Sequence, residues 1–349
     1  MTDRTPKRAL GAAAPGLDAP RAAPRDHGGD LDRAAAHFGG DDWIDLSTGI
    51  NRRPWPVGPL AGSAWRHLPQ AGAQARLRDR AAEWLNCNPD RVLAVPGASS
   101  AIAALPRLIG GAGTGRAAVL ARSYNEHGAA LMAAGWQVSA VDDVGAMAGA
   151  DLAVLVNPNN PDGREWAPDA VAALASQVSH LIVDESFADP RPDLSVAALA
   201  IPNVTVLRSF GKFWGLAGLR LGFVIDAPDR LAALAEALGP WPVSGPALAI
   251  GAAALADHAW ADDAVVYLSE AGLRLDRMAM RAGWQVVGGG HLFRLYAAPD
   301  AAAAQDALAR AGIWTRIFPY DATWLRMGVP GTRAEWDRVA AAMAALRPQ

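Results

Sequence analysis

The sequence predicts an α/β protein: a large domain with a mostly parallel sheet covered by helices, followed by a smaller α+β domain. Three observations carry this. From about residue 90, short apolar runs alternate with Ala/Leu-rich segments of helical length. A Pro/Gly cluster, GPWPVSGP (239–246), then ends the alternation. Finally, 349 residues are enough for two cores.

The apolar runs are RVLAV (91–95), AAVLA (117–121), QVSAV (137–141), LAVLV (152–156), HLIV (180–183), VTVL (204–207) and LGFVI (221–225). Runs this short, apolar on both faces and separated by helical segments, are the pattern of strands buried between two helical layers. After residue 241, WQVVGGGHLFRLYAA and IWTRIF … TWLRMGV predict a few antiparallel strands, and RAEWDRVAAAMAAL a terminal helix. The expected organisation is an N-terminal arm over 1–44 with a mobile first part, a large domain over 45–240 and a small domain over 241–349. No internal repeat is evident.

Composition bounds the function. Hydrophobic residues make up 51% and charged residues 19%, and the formal net charge is -3, so no basic field favours nucleic acid or an anionic membrane. The single cysteine, Cys87, allows no intramolecular disulfide and no cysteine metal cluster, which suits a reducing cytoplasm. The most apolar stretch is broken by Glu236, Pro240, Pro242 and Pro246 and is a poor membrane span. The leader MTDRTPKRALGAAAPGLDAPRAAPRD lacks the apolar core of a secretory signal. Small-molecule chemistry is the expectation.

Ligands of open α/β sheets bind beyond the carboxyl ends of the strands, so the residues just after each strand matter most. After RVLAV, Gly97, Ala98, Ser99 and Ser100 open a helix. Free N–H groups and hydroxyls there suit a phosphate, although serine is also an ordinary helix cap. After AAVLA, Tyr124 and His127 stand at a strand–helix junction, where a tyrosine is either core or a plate for a planar ligand. After LAVLV comes NPNNPDG (157–163), a turn signal in which Asn160, held by Pro161, could offer an amide donor. After HLIV, DESF puts Asp184 and Glu185 at the end of an apolar strand, where buried carboxylates need a partner. After VTVL, RSFGKFWGLAGLRLG sets Ser209, Lys212 and Arg220 among aromatic, aliphatic and glycine residues. A lysine in such surroundings is a snorkelling surface residue or a chemically used amine.

A phosphate cradle, a flat ring, an amide donor, a carboxylate and an amine are together what pyridoxal 5'-phosphate needs, with Lys212 as its Schiff-base lysine. The ordered set GASS, SYNEH, NPNNPDG, DESF and SFGKFWGLAGLRLG resembles the fold-type I, aspartate aminotransferase-like enzymes across about 45–349. Within them it looks like the histidinol-phosphate aminotransferase and threonine-phosphate decarboxylase group. The resemblance implies that Lys212 holds the cofactor aldehyde, Asp184 pairs with the pyridine N–H and His127 supports Asp184. It further implies that Asn160 donates to the phenolic oxygen and Tyr124 stacks on the ring. Gly97, Ala98, Ser99, Ser209 and Arg220 would hold the phosphate.

Two departures stand out. Phe187 replaces a tyrosine of many relatives, which removes a hydrogen bond to the phenolic oxygen, and Leu68 in HLPQ replaces a tyrosine that many relatives supply from the neighbouring subunit. HGGD (27–30) followed by WIDLSTGINRRPWP (43–56) resembles the decarboxylase branch of cobalamin biosynthesis. That branch implies decarboxylation of L-threonine O-3-phosphate to (R)-1-amino-2-propanol O-2-phosphate, with transamination of histidinol phosphate or an aromatic amino acid as the alternative. Expected substrate contacts are His27, Gly49, Asn51, Asn160, Arg316 and Arg326, while Arg294 reads as a surface or ion-pair residue. A homodimer is implied by the family. A non-catalytic binding protein of this fold is disfavoured by the presence of Lys212, Asp184, Asn160 and Arg220.

Overall fold

The computed structural model describes residues 27–110 and 115–347. The mobile first part expected of the arm lies outside the described residues. Strands in chain order are β1 (Ile44–Asp45), β2 (Val92–Val95), β3 (Arg116–Leu120), β4 (Gln137–Val141), β5 (Leu152–Val156), β6 (His180–Asp184) and β7 (Val204–Ser209). They are followed by β8 (Gly222–Ile225), β9 (Gln285–Gly289), β10 (Phe293–Ala297), β11 (Ile313–Trp314), β12 (Arg316–Phe318) and β13 (Asp321–Gly328).

A seven-stranded sheet runs β2-β8-β7-β6-β5-β3-β4, parallel except for β8, which lies antiparallel between β2 and β7. Every residue of β5 and β6 is buried, as an unbroken apolar run covered on both faces requires. Alternate residues feed two cores. Leu152, Val154, Ile182, Leu207 and Val224 pack with the helices Ala98–Gly110 and Pro228–Leu238. Ala153, Leu155, Leu181, Val183 and Val206 join the larger core with Phe210, Phe213 and Trp214.

The C-terminal part carries an antiparallel sheet ordered β12-β13-β10-β9. A 24-residue helix, His258–Arg281, N-capped by Asp257, packs against β9 and β10. The last helix, Arg333–Ala344, starts with a reciprocal capping box between Thr332 and Glu335.

Within the stretch read as an N-terminal arm, residues 31–45 pack on C-terminal elements. Asp30 caps the helix Leu31–Phe38, whose Ala34 packs with Ala309 and Trp314 and whose Leu31 and Phe38 lie against them. Ile44 and Asp45 then pair, in parallel, with Ile313 and Trp314. The physical reason is an amphipathic helix whose apolar face meets the Trp314 ring far along the chain. The stretch 31–45 is thereby folded with the C-terminal elements.

Candidate active site

The carboxyl ends of β2, β3, β5, β6 and β7 and the start of β8 share one edge of the sheet, and a cavity of about 210 Å³ opens there. Gly97, Tyr124, Asn160, Asp184, Lys212 and Arg220 all line it. Segments as distant as 97 and 220 in the chain thus meet because β2 ends where its antiparallel neighbour β8 begins, on the edge where the parallel strands end.

At its base, Asp184 is 2% exposed. Its Oδ2 lies 2.7 Å from His127 Nε2, and its Oδ1 accepts from Ser186 N at 3.0 Å and Ser186 Oγ at 2.5 Å. Burial alone would raise its proton affinity, but His127 and Ser186 outweigh it and hold the carboxyl below its ordinary value. Glu185, next in the chain, faces the other way and binds Arg208, Ser195 and Val196. Strand alternation thus divides the DESF carboxylates between cavity and core.

Lys212 lies in the short helix Phe210–Phe213, and its Nζ donates to the Thr48 carbonyl at 3.1 Å. Burial, helped by the Arg326 and Arg316 guanidiniums and opposed by Asp184 and Asp45, lowers its amine to about 8. Phe187 presents its ring 5.3 Å from Nζ and packs edge-on against Phe293. Tyr124 precedes the helix Asn125–Ala133, with its ring edge-on to His127, 5.9 Å between centroids.

The far end of the cavity is built around Gly97. Its φ of +79° is open to glycine, and a Cβ would lie 2.8 Å from Arg220 Nη2. The helix starting at Ala98 directs its first N–H groups here beside Ser99. Ser100 differs: its hydroxyl donates back to the Gly97 carbonyl at 2.8 Å. Ser209 lines the same end, and its hydroxyl makes no capping bond.

Ser99, Tyr124, Asn160 and Lys212 also line an outer cavity of about 520 Å³, to which His27, Thr48, Glu126, Arg316 and Arg326 contribute. Arg326 is 2% exposed and donates to Asn160 Oδ1 and the Ser47 carbonyl, while its Nε has no hydrogen-bond partner. Burial, with Arg316 nearby, lowers its guanidinium to about 9. A buried cation on the wall of a cavity suits an anionic ligand. His27 lines the same cavity, with Nε2 3.0 Å from Glu126 Oε1.

Two expected substrate contacts sit elsewhere. Asn51 lines neither cavity: its Nδ2 donates to the Phe213 carbonyl, its Oδ1 accepts from Arg53 N, and its N–H donates to the Lys212 carbonyl. It braces the lysine helix instead. A side chain at Gly49 would press on Phe187 and Phe293, so this position is packing against the cavity wall. Arg294 forms a two-bond pair with Asp276, 2.8 and 2.7 Å. Leu68 is exposed.

Sequence reasoning passed over Ser186, Thr48 and Glu126. The D-x-S spacing is a signal for Ser186, since an Asp often accepts from the residue two positions on. Thr48 acts through its carbonyl, for which no side-chain signal exists.

The donor set fits pyridoxal 5'-phosphate: an amine and an ionised carboxylate at one end, N–H groups, hydroxyls and a guanidinium at the other, and a slot between them for a ring. Among the described residues, no helix is long and apolar enough to cross a membrane and no cluster of side chains suits a metal ion.

Comparison with known proteins agrees with this geometry. The family model for class I and II aminotransferases matches residues 58–343. A threonine-phosphate decarboxylase from Sinorhizobium sp is 43% identical, covering 93% of this chain and 99% of that protein. A second, from Pseudomonas aeruginosa, is 40% identical over 91% of this chain and 97% of its own. Among solved structures, histidinol-phosphate aminotransferase from Sinorhizobium meliloti, in complex with pyridoxal-5'-phosphate, superposes with a TM-score of 0.80 at 20% identity. That match covers 95% of this chain and 99% of that one.

Proposed function

The chain belongs to the class I and II aminotransferase family, and from that premise we propose that it is a pyridoxal 5'-phosphate-dependent lyase acting on L-threonine O-3-phosphate. The products are carbon dioxide and (R)-1-amino-2-propanol O-2-phosphate, a precursor in cobalamin biosynthesis. The full-length similarity to two threonine-phosphate decarboxylases supports the activity. The observation that carries the substrate class is the outer cavity, where Arg316, Arg326 and His27 stand beside the amine of Lys212. A phosphorylated amino acid brings a carboxylate and a phosphate to that cavity, and arginine suits both.

The bound cofactor supplies an aldehyde for an amine and a protonatable ring that accepts electrons from a bond broken at the substrate Cα. We assign the aldehyde to Lys212, whose lowered proton affinity leaves much of the amine neutral near pH 8. Asp184, kept ionised by His127 and Ser186, holds a proton on the ring nitrogen. Arg326 holds Asn160 by its Oδ1, which leaves the Asn160 N–H₂ to donate to the phenolic oxygen. Tyr124 and Phe187 flank the ring. Gly97, Ala98, Ser99, Ser209 and Arg220 take the phosphate.

We assign the substrate carboxylate to Arg326 and the substrate phosphate to Arg316 and His27. After carbon dioxide leaves, Cα needs a proton, and Lys212 Nζ is the donor in this scheme. The enzyme works in this reading as a cytoplasmic homodimer, with the exposed Leu68 region facing the partner.

The test is incubation of the holoenzyme with L-threonine O-3-phosphate and measurement of released carbon dioxide. Stoichiometric release with formation of the amine is expected. Amino transfer to 2-oxoglutarate without release would replace this reading with the transaminase one.

A further inference from the structure

HGGD and DLST remain unexplained as motifs, and the structure joins them. Asp45, on β1, ends in a carboxylate that binds the turn just after it. Its Oδ1 accepts from Ser47 N at 2.8 Å and Ser47 Oγ at 2.6 Å, and its Oδ2 accepts from Thr48 Oγ1 at 3.1 Å. This turn directs two successive carbonyls into the site: Ser47 O accepts from Arg326 Nη2 and Thr48 O from Lys212 Nζ. Ser47 Oγ in turn accepts from Gly29 N at 2.7 Å, and a Cβ at Gly28 would lie 2.5 Å from Ser47 O. The HGG segment is thereby pressed onto the turn, with His27 lining the outer cavity.

We propose that Asp45 is a positioning residue for the reaction: it sets the turn that aims Arg326 and Lys212 and, through Ser47 Oγ, seats the His27 segment over the substrate. A three-way hydrogen-bonded carboxylate is a rigid staple for a tight turn. Neutral side chains of the same shape would keep the chain path but lose part of the grip. Asp45 also belongs to the charges around Lys212, with Asp184 of the same sign and Arg326 and Arg316 of the opposite sign. Losing its negative charge disfavours a cation at Nζ.

The substrate arm of this inference rests on the threonine phosphate reading; the cofactor arm does not. In the holoenzyme, Asp45→Asn is expected to raise KM for L-threonine O-3-phosphate by about tenfold, the size of one lost hydrogen bond in a partly buried site, with a smaller change in kcat. The pH midpoint of the absorbance of lysine-bound cofactor, measured without substrate, is expected to fall by roughly half to one unit. Ser47→Ala, which keeps the charge and removes the link to Gly29, is expected to raise KM several-fold and leave the midpoint in place. Unchanged KM and midpoint in Asp45→Asn overturn the proposal, whatever happens to its melting temperature. If Asp45→Asn does not fold, an unchanged KM in Ser47→Ala overturns it. Should the wild type release no carbon dioxide, the substrate reading fails on its own, and an unmoved midpoint in Asp45→Asn still decides against the role of Asp45.

Discussion

His127 Nε2 lies 2.7 Å from Asp184 Oδ2, with both side chains buried at the end of β6. This contact offsets the desolvation of the carboxylate, and Ser186 secures the other oxygen. Asp184 therefore stays ionised down through the ordinary carboxylate range.

Removing the imidazole leaves Oδ2 without that partner. His127→Ala is expected to lower kcat/KM by roughly ten- to a hundredfold, the loss of a charge-assisted hydrogen bond, and to move the acid limb of the pH profile upward. Stability should respond with the same dependence on ionisation. Asp184 has a depressed folded value, so its contribution is present above the unfolded value and is lost as pH falls through the folded one. Chemical denaturation at pH 7 and at a pH well below the ordinary carboxylate value should therefore show the variant and the wild type converging at the lower pH.

Lys212 carries the second prediction. Its amine, lowered to about 8, should capture the aldehyde of added cofactor in the apoenzyme at a rate that rises with a midpoint near pH 8. Stopped-flow absorbance measures this. A midpoint near the ordinary lysine value would contradict the environment described. Lys212→Ala should abolish both the absorbance change and turnover.

Gly97 supplies the third. Alanine there adds a Cβ 2.8 Å from Arg220 Nη2 at a φ of +79°. The backbone cost is about 1 kcal/mol, and the guanidinium must move away from the proposed phosphate end. Equilibrium dialysis is expected to show cofactor binding weakened about tenfold, the equivalent of one lost charge-assisted hydrogen bond. Unaltered affinity would detach Arg220 from the phosphate.

The contrast between Gly97 and Asn51 shows what the chain discloses in advance. All seven strands of the large sheet were readable because each is a short apolar run closed by turn residues, and strand ends are where ligands bind in such sheets. The residues brought to the cavity, Gly97, Tyr124, Asn160, Asp184, Lys212 and Arg220, each lie just after or just before one of those runs. Direction was not readable: β8 runs antiparallel, and apolar composition carries no arrow. The backbone contacts of Asn51 were not readable either, because a polar residue near a site motif can serve backbone as well as ligand. The docking of 31–45 on Trp314 depends on a partner more than 260 residues away, which local periodicity does not encode.

The last prediction concerns the other DESF carboxylate. Arg208 is 4% exposed and donates to Glu185 Oε2 at 2.9 Å and to Asp189 Oδ1, which also accepts from Trp84 Nε1 at 3.0 Å. Glu185 is fully buried and further holds Ser195 Oγ at 2.7 Å and Val196 N at 2.8 Å. Arg208→Met keeps much of the packing but strands two buried carboxylates, which should cost about 3–5 kcal/mol at neutral pH. Burial then raises the proton affinity of Glu185 without a cation to counter it. A folded value above the unfolded one gives stability that is present at low pH and fades as pH rises, so the variant should recover part of its loss between pH 7.5 and pH 5. Urea unfolding at the two pH values measures this. Glu185→Gln, which keeps one oxygen to accept from Arg208 and Ser195 but turns an N–H₂ toward Val196 N, should still lose less than Arg208→Met. Equal losses would mean that shape rather than charge pairing holds β6 to β7, four residues before Lys212.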